Sequence, residues 1–255
     1  YMGGMLIRVC LILMLVPAAV RAETVTAHYA AYAAGLNVIT MDATFELTPA
    51  VYRLQIDYRT TGTLGVFVRS QQSTVVQGVF AAERAVPRRF VSSGSLRGEQ
   101  RVTEIDYRDG QPMVRQLVPP NDKEREAVPA EQQRGTIDTL SAMAQLLSQI
   151  GRTGRCDGTV QTFDGRRLAS LRSWTVGTAP IPASSVSSYS GPALQCEFEG
   201  KQLGGFMLDE DRERLQRPQR GTAWFAAVSP GGPMLPVRIS FRTRWFGDAT
   251  MYITN

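Results

Sequence analysis

A hydrophobic period of two runs through this chain. In YRLQIDYRT, Tyr52, Leu54, Ile56 and Tyr58 share one face, and Arg53, Gln55, Asp57 and Arg59 share the other. Side chains of a strand point alternately to opposite faces, so such a stretch buries one side as a strand and has no apolar stripe as a helix. VTEIDYRDGQPMVRQLV (Val102 to Val118) reads as strand, turn and strand, with Asp109-Gly110 at the turn. PVRISFRTRWF (Pro236 to Phe246) sets Val237, Ile239 and Phe241 against Arg238, Ser240 and Arg242, and GDATMYITN (Gly247 to Asn255) follows after a Gly-Asp turn. Further strand candidates are 43–47, 65–72, 89–95, 160–163, 169–176, 193–199 and 222–228. Many short strands with turn signals predict a mainly β, antiparallel fold: a barrel-like or strongly curved sheet of about ten strands.

One segment breaks the pattern. In TIDTLSAMAQLLSQIG (136–151), Leu140, Met143, Ala144, Leu147 and Ile150 fall on one helical face. Thr136 or Asp138 can cap its start, and Gly151 suits the left-handed residue at its end. A single capping helix lying as a lid on the sheet is expected. Before it, residues 116–135 are rich in Pro, Glu and Arg and lack periodicity, which predicts a mobile, exposed connector. Residues 178–193, rich in Ser and Pro, read as a second loop.

The first 22 residues read as a secretory signal. Arg8 gives a positive start, Val9 to Val20 an apolar core, and Ala22 a small residue for cleavage. The apolar run is shorter than the roughly 20 residues of a membrane-spanning helix; a retained N-terminal anchor is the alternative. Residues 23–255 then form one β-rich, barrel-like domain, since about 230 residues can bury a sizeable core. No other run of spanning length follows, so the processed chain is expected to be soluble, with no transmembrane segment. The leader is bacterial in style, which implies the periplasm. Of the net charge of +5, two units belong to Arg8 and Arg21 in the leader. The remainder is too small and too scattered for a nucleic-acid partner.

Cys10 falls in the leader. Cys156 and Cys196 remain, an even pair in an oxidising compartment, and a disulfide between them is expected. Closing a loop of this length stabilises by ~4 kcal/mol in the chain-entropy model; the alternative is two free thiols. Neither belongs to a C-x-x-C pair. Metal chemistry is not expected either, because the one histidine, His28, is far from both cysteines in sequence. His28 reads as a strand-edge residue. The chain has no G-x-S-x-G elbow, no phosphate-binding glycine loop and no dinucleotide fingerprint, so no catalytic residues and no cofactor are assigned. In LDEDRER (Leu208 to Arg214) mixed charges suggest a solvated turn. Tyr52, Tyr58, Trp174, Trp224 and Trp245 read as core aromatics, with stacking on sugars as the functional alternative.

CDGTVQTFDGRRL (Cys156 to Leu168) holds the candidate site. Asp164-Gly165 marks a hairpin turn, after which Arg166 and Arg167 point to opposite faces. One can face water, while the other must snorkel or pair with Asp157 or Asp164. An arginine facing a barrel lumen can also hold an anionic head group or carboxylate bidentately. Arg166 and Arg167 are therefore both the candidate ligand-binding residues and the candidate ion-paired staples.

DTLSAM (Asp138 to Met143), CDGTVQTFDGRRLASL (Cys156 to Leu171), PVRISF (Pro236 to Phe241) and AVPRRFVSSG (Ala85 to Gly94) resemble the domain-of-unknown-function 3108 family in order and spacing. The resemblance runs from about Tyr29 to Ile253 and implies an exported envelope protein with a β-rich, barrel-like fold. It brings no catalytic mechanism. The size and the cysteine pair are also similar to the cell-envelope integrity proteins of alpha-proteobacteria, which form a spiral β-barrel.

These readings lead to a non-catalytic, monomeric periplasmic protein that binds a lipid or peptide in a barrel lumen and supports envelope integrity, with an envelope protein as a further candidate partner. The alternative is a carboxylate-dependent hydrolase of cell-wall or glycan substrates.

Overall fold

The computed structural model describes residues 23–243 and 247–254. The leader and Trp245 lie outside the described residues. Thirteen strands are present among them: β1 (Glu23–Ala33), β2 (Leu36–Leu47), β3 (Val51–Thr60), β4 (Ser70–Ala81), β5 (Arg84–Leu96), β6 (Glu99–Arg108), β7 (Gln111–Val118), β8 (Gly158–Phe163), β9 (Leu168–Ile181), β10 (Gly191–Gly204), β11 (Gln219–Ala227), β12 (Met234–Arg242) and β13 (Asp248–Ile253). Four short or medium helices join them: α1 (Gly62–Phe67), α2 (Ala130–Gln133), α3 (Thr139–Thr153) and α4 (Arg212–Gln216). The expectation of about ten strands and one helix is thus too low on both counts.

All thirteen strands lie in one sheet, in the order β7-β6-β5-β4-β3-β2-β1-β13-β12-β11-β10-β9-β8. Two meanders, β1 to β7 and β8 to β13, are welded by an antiparallel ladder between the first strand and the last, with Tyr29 opposite Ile253 and Ala33 opposite Ala249. Most connections within a meander are hairpins, which is what antiparallel neighbours allow, while α1 joins β3 to β4 and a longer segment with α4 joins β10 to β11. The predicted Asp109-Gly110 turn is there, with both residues at positive φ (50° and 73°), the pattern of a two-residue hairpin loop. The sheet curls into a nearly closed barrel whose edges are β7 and β8, and the chain between those edges, residues 119–157, crosses the seam.

The inward face follows the period of two. Tyr52 and Leu54 on β3, Ala43 and Phe45 on β2, Val76 on β4, Phe90 on β5, Ile105 on β6, Phe225 on β11, Val237 on β12 and Ile253 on β13 are buried in one contiguous core. Helix α3 completes it. Asp138 caps the N-terminus by accepting the Ser141 N–H at 2.8 Å, and Gly154, at φ 65°, ends the helix in the left-handed conformation. Its buried residues, Ser141, Ala142, Ala144, Leu147 and Ile150, recur at helical spacing.

The helix touches β3, β4 and β5 of one meander and β8 and β12 of the other. It therefore lies inside the curve of the sheet, and the expected lid over 136–151 is corrected to an internal plug over 139–153. Thr136 and Ile137 are extended, and Ile137 pairs with β8: its N–H reaches Gln161 O at 3.2 Å and its carbonyl accepts Phe163 N–H at 2.9 Å. That covers part of an otherwise open strand edge.

Residues 116–135, expected to be a mobile connector, form a strap over the seam. Arg125 bridges to Met207, Glu126 N–H donates to Phe206 O at 2.9 Å, and Leu208 N–H donates to Glu124 O at 3.1 Å. The Glu124 carboxylate takes a bidentate pair of bonds from Arg101 on β6, both at 2.7 Å. This is the strong fork geometry of arginine with carboxylate. Arg166 stands 3.6 Å from the same carboxylate, and Arg125 Nη1 donates to Gly205 O at 2.9 Å. Gly205, at φ 68°, passes so close to the Arg166 carbonyl that any Cβ would collide with it.

Removing Glu124 leaves Arg101 and Arg166 without their shared counter-charge at the seam. The pair is about one-fifth exposed, so Glu124→Ala is expected to cost roughly 2 to 3 kcal/mol, between the values for surface and buried pairs. The surface pairing of Arg89 with Glu104, by contrast, is worth under about 1 kcal/mol. Urea denaturation of Glu124→Ala and Glu104→Ala side by side checks the ranking.

Candidate functional site

The plug does not fill the barrel completely. Between α3 and strands β8 to β12 lies a cavity of about 250 Å³. Ala142, Met143 and Leu146 form its helix wall, and Val160, Leu171, Phe198, Ala223, Phe225 and Ile239 form its sheet wall. Most of its surface is carbon. The two glutamines on the lining are already engaged: Gln145 Oε1 accepts the Ala85 N–H at 2.9 Å, and Gln149 donates to the Asp157 carbonyl at 2.8 Å. An apolar cavity of this kind holds water poorly and takes apolar guests, a void of 150 Å³ being enough for benzene.

A disulfide fixes one side of the cavity. Cys156 and Cys196 are joined, as expected from their number, and Cys196 lines the cavity on β10. Cys156 follows directly on the end of α3, and its N–H donates to Thr175 Oγ1 on β9 at 2.9 Å. The bond thus ties the C-terminal end of the helix to the sheet that it faces.

The two arginines diverge in role. Arg166 is a staple: its Nη2 donates to the carbonyls of Val118 and Pro119, each at 2.8 Å, binding the β8–β9 turn to the end of β7. Only 13% of its side chain is exposed. Burial lowers its guanidinium below the usual arginine range, and Glu124 opposes that shift. Arg167 pairs with Asp164 at 2.8 Å and keeps 55% of its side chain exposed. The Asp164 carboxylate also accepts the N–H groups of Arg166 and Arg167, at 2.9 and 2.7 Å. Burial opposes its ionisation, but Arg167 and these two N–H groups outweigh it and hold the acid below the ordinary carboxylate range. Along β8 and β9, buried Thr162, Phe163 and Leu168 stand between Arg167 and the cavity residues Val160 and Leu171. The structure therefore sets both arginines apart from the cavity.

The other sequence candidates disperse. His28 lies mid-strand on β1, near the centre of the sheet order, with Nδ1 2.5 Å from Asp42 Oδ1 on the outer face; it is not at a sheet edge. Asp42 and Asp57 are cross-strand partners beside it and border a shallow polar depression of about 290 Å³. Among the described residues no group of three or more His, Cys, Asp or Glu side chains is arranged to hold a metal. Tyr52 is core, as expected, and Trp224 is half-buried and packs against the core, whereas Trp174 lies outside the core cluster. Trp224 stacks under the Arg238 guanidinium at 4.8 Å.

Sequence reasoning passed over one buried polar cluster. Asp138 is fully buried at the N-terminus of α3. Its carboxylate accepts Ser141 Oγ–H at 2.6 Å, and Ser141 Oγ in turn accepts the Tyr52 hydroxyl at 2.8 Å. The Tyr107 hydroxyl is buried close to Asp138, and burial, with Asp138 next in effect, holds its ionisation far above the usual tyrosine range. The capping pattern in TIDTLS carried the helix start, but nothing local signalled that β3 and β6 would bury the capping acid.

A family model described as "Protein of unknown function (DUF3108)" matches residues 24–254. Among solved structures, the chain is similar to a beta-barrel-like protein of domain of unknown function DUF1849 from Brucella abortus. The two are 12% identical over 92% of this chain and 98% of that one, with a TM-score of 0.50. At that identity the likeness is one of fold. No curated protein matches.

Burial pushes the Asp138 carboxyl up to about 6. An acid raised in the folded state binds more protons there than in the unfolded chain between about pH 4 and 6, so its contribution to stability is lost as pH rises through that window. Asp138→Asn keeps an N-capping acceptor but cannot titrate. Relative to the parent, the variant is expected to gain stability on going from pH 4 to pH 6.5, by about 2 kcal/mol. Urea midpoints measured across that range test this; parallel pH profiles for the two proteins would contradict it.

Proposed function

The chain belongs to the DUF3108 family, and on that premise we propose that it is a non-catalytic lipid-binding protein of the bacterial envelope, with a single acyl chain in the cavity beside α3. The observation that carries this reading is the cavity itself: apolar, open to solvent at one side past Thr159 and Arg172, and walled by a helix that the disulfide anchors. Its chemistry favours a lipid chain over a peptide. A peptide would bring backbone N–H and C=O groups into a space lined mostly by carbon, where both glutamines are already engaged, and each unpaired group would cost free energy. An alkyl chain brings none. The volume of about 250 Å³ suits one chain segment rather than a whole diacyl lipid.

The secretory pattern of residues 1–22 and the Cys156–Cys196 bond support a periplasmic location. Arg166 belongs to the seam in this reading, and Arg167 is left to the polar side of the plug, away from the bound chain.

A fluorescent fatty-acid analogue reads the cavity directly. The parent protein should brighten the probe at saturable stoichiometry. Ala142→Phe places a ring in the space that the chain would fill, and probe affinity should fall by about tenfold or more while thermal stability holds. Equal affinity in the two proteins would remove the cavity as the site.

A further inference from the structure

At the end of the barrel where β3 passes to β4, the chain builds a feature that the core does not need. Helix α1 (Gly62–Phe67) has six residues and none is buried. Val66 and Phe67 are 80% and 82% exposed, and Leu36, at the start of the neighbouring β2, is 54% exposed. A helix this short is marginal alone in water, yet this one is held at several points. Thr61 N–H donates to Val38 O at 3.0 Å, and its hydroxyl donates to Asn37 Oδ1 at 2.7 Å. Thr60 Oγ1 donates to Val68 O at 2.8 Å and accepts Ser70 N–H at 2.9 Å. Arg97 N–H, from the β5–β6 turn, reaches Arg69 O at 2.7 Å. The fold therefore fixes two large apolar side chains in water, locked to the turns on either side.

The surroundings say what they meet. Arg59, Arg69 and Arg97 are exposed around α1, and no ion pair engages them among the described residues. Of the acids in this sector, Glu99 lies 3.6 Å from Arg101, and Asp42 and Asp57 share the outer depression with Arg59, which leaves Arg69 and Arg97 as the cations without a neighbouring acid. Apolar tips flanked by Arg69 and Arg97 match an anionic bilayer surface, in which the tips enter the acyl boundary and the arginines stay among the phosphates. We propose that α1, with Leu36, Arg69 and Arg97, docks the protein on the surface of a membrane containing anionic lipid. This inference is independent of the cavity reading, since α1 lines no part of the cavity.

The test uses the chain from Glu23 onward, the span of the sheet and of the family match. Co-sedimentation is measured with vesicles of phosphatidylethanolamine and phosphatidylglycerol, and with vesicles of phosphatidylcholine alone. The protein should bind the anionic vesicles, more weakly as salt is raised, and bind the neutral ones poorly. Val66→Ser with Phe67→Ser should lower the partition by about tenfold or more, and Arg69→Glu with Arg97→Glu should do so on anionic vesicles alone. Because none of these side chains is in the core, unfolding midpoints should stay unchanged, as should uptake of the fatty-acid probe. No partition onto either vesicle, or serine variants that partition as the parent does, would overturn the proposal, and a protein partner would then be the occupant to seek.

Discussion

A sheet of thirteen strands that curls almost onto itself encloses more space than its own inward side chains fill, and α3 occupies that space. Its buried face meets both meanders at once, so the position of the helix and the curvature of the sheet determine each other. Close packing is the rule in protein interiors, and a gap of several methylenes beside a helix is costly to leave. The cavity next to α3 is therefore the departure from that rule that matters most, and its apolar lining decides what kind of guest can offset the cost.

The same geometry creates the seam. β7 and β8 do not pair, and two open strand edges would invite association with other chains. The chain between them answers in two ways. Ile137 adds a short bridge to β8, and the strap from Asn121 to Val128 crosses to the end of β10. Glu124 sits where Arg101, Arg166 and the strap converge. Arg166, which the sequence also offered as a ligand arginine, is consumed in joining the β8–β9 turn to the end of β7. Polar closure of the seam and apolar filling of the lumen are thus separate tasks, done by different residues of one crossing segment.

The alternation in Tyr52 to Thr60 placed Tyr52 and Leu54 inward correctly, because period two depends only on the strand itself. In Pro236 to Phe241, by contrast, only Val237 of the expected inner face is fully buried, and Phe241 is exposed. What stayed hidden depends on distant partners or on weak local signals. β1 is rich in alanine, which has low strand propensity, and Ala27, Ala30 and Ala33 are all buried, so its alternation is blurred. Val66 and Phe67 read as the start of a strand over 65–72, whereas Gly62, at φ 56°, turns the chain into α1 first. The Pro-, Glu- and Arg-rich strap looked mobile because its ion pairs reach across the seam to Arg101 and Arg166. The helix of 136–151 was recognisable from its stripe, but not that it lies inside the barrel, since a lid and a plug need the same amphipathic face. For the same reason the cavity, which exists only between α3 and β8 to β12, had no signature in any one stretch.

Two surfaces give the molecule a direction: an apolar interior beside α3, and an apolar, basic tip at α1. The central claim is that the interior accepts a lipid chain. Native mass spectrometry of the chain from Glu23 onward, incubated with an extract of membrane lipids and stripped of free lipid without detergent, tests it most directly. The account predicts one bound acyl-chain-bearing species per protein. A protein that returns only its own mass after that exposure would contradict it.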